Sequence, residues 1–237
     1  MCLTRASSRG YSREGSFQNT IESMAAWKVD AETRWPLLFA LASMVVLHFA
    51  LPDALTVFPD WVLGLVFLVL AALVLWFHYR RAERRARIAG LTLLSAVTLA
   101  LVVSLFLLLH SLPEHKVAPV DLLRAAASLW VSNLLAFAAW YWALDGGGAY
   151  ARAKKHSHVE GAFLFPQMAL HEASPAKPEQ WHPRFIDYLF LSFNTSTAFS
   201  PTDTQVLSRW AKALMMLQSV VSLTIIAVLA ARAVNIL

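Results

Sequence analysis

A single cysteine, Cys2, occurs in the 237 residues, which excludes an internal disulfide and a thiolate metal cluster. Charge is also scarce. Charged residues are 15% of the chain and hydrophobic ones 58%, a balance that excludes an ordinary water-soluble domain and points to an integral membrane protein. Residues 1–23 have neither an apolar h-region nor a cleavage signature, so they are not read as a secretory signal peptide. Gly-x-Ser-x-Gly, His-Glu-x-x-His and a dinucleotide fingerprint are absent, so neither enzyme activity nor a cofactor is expected. The formal charge of +5 does not indicate a nucleic-acid partner, because five of the 20 basic residues (Arg80, Arg81, Arg84, Arg85 and Arg87) crowd one short loop and read as a topology signal.

What the chain does contain is a series of long apolar runs. Four lie at about 36–52, 61–78, 89–112 and 122–144, and a fifth at 213–236. Each approaches the roughly 20-residue helix that a 30 Å hydrocarbon core requires. The fold expected is all-α, a polytopic transmembrane helical bundle. It divides into a disordered tail (1–26, with Met24 an alternative start), a four-helix transmembrane region (27–144), an extramembrane polar loop (145–182) and a last unit (183–237). Trp27 and Trp35 suit an interfacial lead-in at headgroup level. Trp140-Tyr141-Trp142 reads as an interfacial aromatic belt, and Asp145-Gly146-Gly147-Gly148 as a sharp helix stop.

With the arginine loop cytoplasmic, the amino terminus is cytoplasmic and the 145–182 loop, carrying Arg152, Lys154 and Lys155, returns to the cytoplasm. Localisation in a bacterial cytoplasmic (inner) membrane is expected. Segment 184–200 offers 17 residues between Pro183 and Pro201, about 25 Å as a helix. It either barely spans, giving six spans, or dips in and returns, giving five spans plus a re-entrant segment.

That segment holds the strongest functional lead. Polar backbone at membrane depth is tolerated only where protein buries it or water reaches it, so a hydroxyl-rich, Pro-interrupted stretch before the last span marks a cavity or a pore. Asn194, Thr195, Ser196, Thr197, Ser200 and Thr202 offer hydroxyls and an amide, and Asp203 a charge at a mouth. The opposing reading has the hydroxyls bonding their own i−4 carbonyls and Asp203 capping the last helix. Gln218 and Ser222, four apart, share one face of that helix, to line a pore or to bond neighbouring helices. Asn133 is a candidate for a polar helix contact. His156, His158, His171 and His182 share one loop, but their spacing fits no helical ligand pair and no metal site is expected. His48 falls inside a span, where a buried hydrogen bond outweighs a proton-sensing role, and His110 falls at a span's end, where it reads as interfacial.

Residues 183–236 resemble the pore helix, filter and inner helix of the tetrameric potassium-channel superfamily, in particular small bacterial integral membrane proteins with an altered filter. Asp187-Tyr-Leu-Phe-Leu-Ser-Phe193 matches the pore helix. Leu214-Met-Met-Leu-Gln218 and Ala227-Val-Leu-Ala-Ala-Arg232 match the inner helix in register. The filter signature then falls on Ala198, Phe199, Ser200, Pro201, Thr202 and Asp203, with Ser200 and Thr202 at the two glycine positions. Those residues and the fixed φ of Pro201 break the stacked-carbonyl geometry that potassium selectivity needs. Ser222 stands where such channels often carry a gating-hinge glycine. The resemblance implies passive conduction of a monovalent cation without potassium selectivity, in a homo-oligomer, tetrameric if channel-like. The alternative is a non-conducting accessory or assembly protein that keeps the packing. A channel-like orientation would put 145–182 outside, whereas the arginine loop puts it inside.

Overall fold

The computed structural model describes residues 35–49, 51–52, 60–80, 83–111, 118–148, 151–152, 161–168, 183–197 and 203–236. The amino-terminal tail, the histidines at 156, 158, 171 and 182, and positions 198–202 of the filter match lie outside the described residues, as does the side chain of His48.

The described chain is mostly helical. Helices α1 (Trp35–Phe49), α2 (Asp60–Tyr79), α3 (Glu83–Ser111) and α4 (Pro119–Leu144) follow the first four apolar runs. Then come β1 (Phe163–Leu164), α5 (Phe185–Thr197), β2 (Gln205–Val206) and α6 (Arg209–Ile236). Among the described residues three helices are long and apolar enough to cross a membrane, over Arg84–Ser111, Val120–Gly147 and Arg209–Ala231, and α2 carries a shorter apolar stretch, Gly64–Phe77. At about 1.5 Å per residue each of the three exceeds the roughly 30 Å hydrocarbon core.

Helix α4 is the hub, packed against α1, α3, α5 and α6, while α2 leans chiefly on α3. Small side chains make this possible. Ala125, Ala126, Ala136, Ala138 and Ala139 are fully buried and let neighbouring backbones approach. One core cluster joins Leu41, Leu93, Phe137, Tyr141, Phe163 and Tyr188, and a second joins Leu105, Leu122, Leu129 and Ile225. Helices α3 and α4 run antiparallel, since Leu93 and Leu94 share one core cluster with Phe137 and Tyr141, and Leu105 and Leu108 share the other with Leu122 and Leu129, so the arginine end of α3 and the carboxyl end of α4 share one end of the bundle; Trp140 Nε1 also donates to Thr98 Oγ1 at 2.9 Å. Of the aromatic run 140–142, Tyr141 and Trp142 are buried, Tyr141 against Gln218 of α6 and Trp142 beneath the Arg152 guanidinium. They pack the bundle and do not form a belt.

Helix starts and stops follow local chemistry. Pro119 sits in the first turn of α4, where its missing N–H is no loss. Asp187 accepts the Arg184 N–H at 2.7 Å, so a carboxylate reaches back to satisfy the first donor of α5 and meets its positive end. Ser208, not Asp203, caps α6: its hydroxyl accepts the Ala211 N–H at 3.3 Å, and Asp203 lies well before the first turn. Helix α4 stops at three glycines with φ of +55°, +85° and +94°.

A Cβ at Gly148 would meet the Ala143 carbonyl oxygen at 3.0 Å, and its backbone suits glycine alone. Gly148→Ala is expected to cost about 1–3 kcal/mol, read as a lowered melting temperature in detergent. Gly90→Ala, mid-helix with nothing within 4 Å, should be neutral or stabilise by about 0.5–1 kcal/mol.

Candidate functional site

Two buried polar clusters sit where α4, α5 and α6 meet. The deeper one begins with Gln218, fully buried on α6. Its amide nitrogen donates to the Ser192 carbonyl and hydroxyl, both at 2.8 Å, and its amide oxygen accepts from the Tyr141 hydroxyl at 2.5 Å. Ser192 in turn donates to the Leu134 carbonyl at 2.8 Å. One turn further along α6, Ser222 accepts from Asn133 Nδ2 at 2.6 Å and shares a hydrogen bond with Ser196. Gln218, Ser222 and Asn133 are all fully buried, and their polar groups are paired across three helices. The exceptions are the Asn133 carbonyl oxygen and the Trp130 and Trp142 indole nitrogens, which have no partner among the described residues.

These contacts fix directions. Ser192 with Gln218, and Ser196 with Ser222, advance together, so α5 and α6 run parallel. Tyr188 meets Asp145 near the carboxyl end of α4, and Phe193 meets Trp130 edge-on at 6.1 Å, so α5 runs antiparallel to α4. Ser222 stands at the middle of α6, and Asn133 close to the middle of α4. The carboxyl end of α5 therefore lies at half the depth of the bundle.

The second cluster holds the amino end of α5. Asp145 is fully buried; one carboxylate oxygen accepts from the Tyr188 hydroxyl at 2.6 Å and the other from the Ala162 N–H at 2.5 Å. Arg152, 5% exposed, donates to the Trp142 and Asp145 carbonyls at 2.8 and 2.5 Å, closing the end of α4 that has no helical donor. Its guanidinium also lies over the Trp142 and Tyr188 rings, at 5.7 and 5.2 Å. Strands β1 and β2 pair antiparallel beside it, Phe163 opposite Val206, and the Leu207 N–H reaches the Ala162 carbonyl at 2.8 Å. Phe163 packs against Tyr141, Tyr188 and Trp210. The chain thus comes back, after α5, to the end of the bundle from which α5 sets out.

Among the residues singled out from sequence, Asn194, Thr195, Ser196 and Thr197 form the last turn of α5. Thr195 and Thr197 bond their own i−4 carbonyls, at 2.8 and 3.0 Å, while Ser196 bridges to α6. Asn194 and Thr197 are only partly buried, and Asp203 is exposed. Ala198, Phe199, Ser200, Pro201 and Thr202 fall outside the described residues. Gln218 and Ser222 are brought together with Asn133, and their polar atoms are engaged within the chain. His110 is exposed and stacks on Phe106 at 6.3 Å. Among the described residues no group of His, Cys, Asp and Glu could hold a metal.

Sequence reasoning missed Tyr141, Ser192, Tyr188 and the inward roles of Asp145 and Arg152. A usable signal existed: a carboxylate directly after a 26-residue apolar helix needs either solvent or a partner. No family model, no curated protein and no solved structure matches this chain.

Gln218→Leu strands the buried Tyr141 hydroxyl, and Tyr188→Phe strips a donor from a buried carboxylate. Each is expected to destabilise by about 1–3 kcal/mol. Thr224→Val, which removes a hydroxyl bonded to the Val220 carbonyl one turn back, should stay within about 0.5 kcal/mol. Thermal unfolding of the purified protein in one detergent compares all three.

Proposed function

We propose that this chain is an integral membrane protein with five spans, α1, α2, α3, α4 and α6, and a re-entrant segment built on α5. Its function is passive conduction of monovalent cations, without potassium selectivity, through a homo-oligomeric pore. One observation carries this reading: α5 is parallel to α6, starts at the Asp145 end, stops at half depth, and is followed by β2 back at the Asp145 end.

A helix that stops at mid-membrane points its unpaired carbonyls there, equivalent to roughly half a negative charge. In hydrocarbon this end would be costly, as would the partly exposed Asn194 and Thr197 on it; beside a water-filled path it becomes a place where a cation losing its hydration shell is stabilised. Asp203, exposed at the end where the segment emerges, adds a full negative charge at the mouth. The resemblance of 183–236 to a pore helix, filter and inner helix agrees with this order of elements. Ser200, Pro201 and Thr202 in the filter register favour side-chain oxygens over a carbonyl column.

Orientation follows from the arginines. They share the Asp145 end, so the positive-inside rule turns that end to the cytoplasm, and the pore segment enters from there. With the 145–182 loop inside, the re-entrant segment enters from the face opposite to the one used by the channels it resembles. The second reading, a non-conducting accessory protein, is favoured by Gln218 and Ser222, whose polar atoms are spent on helix contacts and are not free to line a path.

In a Cys2→Ser background, cysteines placed at 160 and 205 are expected to react with a membrane-impermeant thiol reagent from the cytoplasmic side, and one at 237 from the outer side. Reaction at 237 from the cytoplasm means six spans and sinks the re-entrant reading. Proteoliposomes are expected to pass sodium and potassium at similar rates, reduced severalfold by Asp203→Asn. Absence of flux across a range of pH and voltage would move the assignment to the accessory protein.

A further inference from the structure

Besides the polar clusters, the molecule carries a second concentration of unusual chemistry at its arginine end. Arg84, Arg85 and Arg87 are exposed on the first turns of α3, and Arg80 is exposed at the end of α2 with its guanidinium 4.9 Å over the Trp76 ring. None of the four makes an ion pair among the described residues, where the pair seen is Arg124 with Asp121. The fork of each guanidinium matches a phosphate oxygen pair.

What lies beneath them selects the kind of phosphate. Arg84, Ile88, Thr92, Ser95, Leu99 and Val102 follow at spacings of three and four, so they form one stripe along α3. Every member is exposed: Ile88 is 55%, Leu99 65% and Val102 43% open. Thr92 and Ser95 would interrupt an apolar track, but their hydroxyls are turned back onto the Ile88 and Leu91 carbonyls at 3.0 and 2.8 Å. From Arg84 to Leu99 the stripe descends about 22 Å, enough for an acyl chain within one leaflet. Trp76 and Tyr79, 56% and 86% exposed, flank the head at the level where aromatic residues meet headgroups.

The geometry points to a binding site for an anionic phospholipid: the arginines at the shared end of α2 and α3 hold its phosphate, and the Ile88–Val102 stripe of α3 takes an acyl chain. This rests on the chain being a membrane protein and not on its conducting ions. Placed at the end that also carries Asp145 and the amino end of α5, such a lipid would be drawn from the leaflet facing that end, and each arginine near an anionic surface strengthens the attraction about fivefold.

The test uses the full-length protein in a neutral detergent, titrated with dioleoyl phosphatidylglycerol, dioleoyl phosphatidylcholine or glycerol phosphate, with bound molecules counted by native mass spectrometry. Phosphatidylglycerol is expected to bind at least tenfold tighter than phosphatidylcholine, and less so as salt rises. The triple variant Arg84→Gln, Arg85→Gln, Arg87→Gln should lose at least tenfold for phosphatidylglycerol and nothing for phosphatidylcholine, while the matching triple lysine variant keeps most of the preference. Should the glutamine variant not fold, Leu99→Gln, which leaves every arginine in place, must still weaken phosphatidylglycerol. No preference between the two lipids, an unchanged glutamine variant, or glycerol phosphate displacing phosphatidylglycerol at equal concentration would overturn the assignment, the last because it makes the site one for free phosphate. Because no flux is measured, the outcome is separate from that of the conduction experiment.

Discussion

Satisfying polar groups without water is the constraint on which the rest of this structure depends. Away from water an unpaired amide or hydroxyl costs several kcal/mol, and the chain gathers many of its buried polar side chains where α4 faces α5 and α6. Gln218, Ser192, Tyr141 and Leu134 form one set of bonds; Asn133, Ser222 and Ser196 form another a turn away. The alanines of α4 let the helices come close enough for such short side chains to meet. Without these bonds a short helix like α5, with Asn, Ser and Thr in its last turns, would have no reason to sit inside a bundle.

The two clusters divide the labour. At the end of the bundle, Asp145 holds Tyr188 and the backbone of Ala162, while Arg152 closes α4, so the start of α5 and the strand pair are fixed to one point. At mid-depth the serine and glutamine bonds fix where α5 stops. A helix pinned at both ends in this way presents its negative carboxyl end, with Asn194 and Thr197, at a defined depth. The proposed conduction path would depend on that position, and the buried Gln218 and Ser222 hold α5 there.

A good part of this was legible along the chain. Apolar runs of near-membrane length located α1 to α4 and α6, because the hydrophobic requirement of a span is a matter of local composition. The glycine stop after Asp145 was legible because positive φ is a property of the residue itself. The direction of Tyr141 and Trp142 was not: an aromatic residue at the end of a span suits an interface and a helix contact equally, and the neighbours decide. The same holds for Asp145, which reads as a helix terminator until Tyr188, 43 positions later, supplies its hydroxyl. Asp203 illustrates the reverse: a reasonable helix cap by type, it yields to Ser208 because α6 begins later.

The sequence by itself determined the solvent this protein is built for, the helices that solvent demands and the residues with polar groups to place, since each follows from side-chain hydrophobicity and backbone preference read locally. Only the tertiary structure decided which way α5 runs, how deep it reaches and that the chain returns to the same end. Those depend on hydrogen bonds between residues 26 to 89 positions apart, and a bond across that separation leaves no mark in either segment alone.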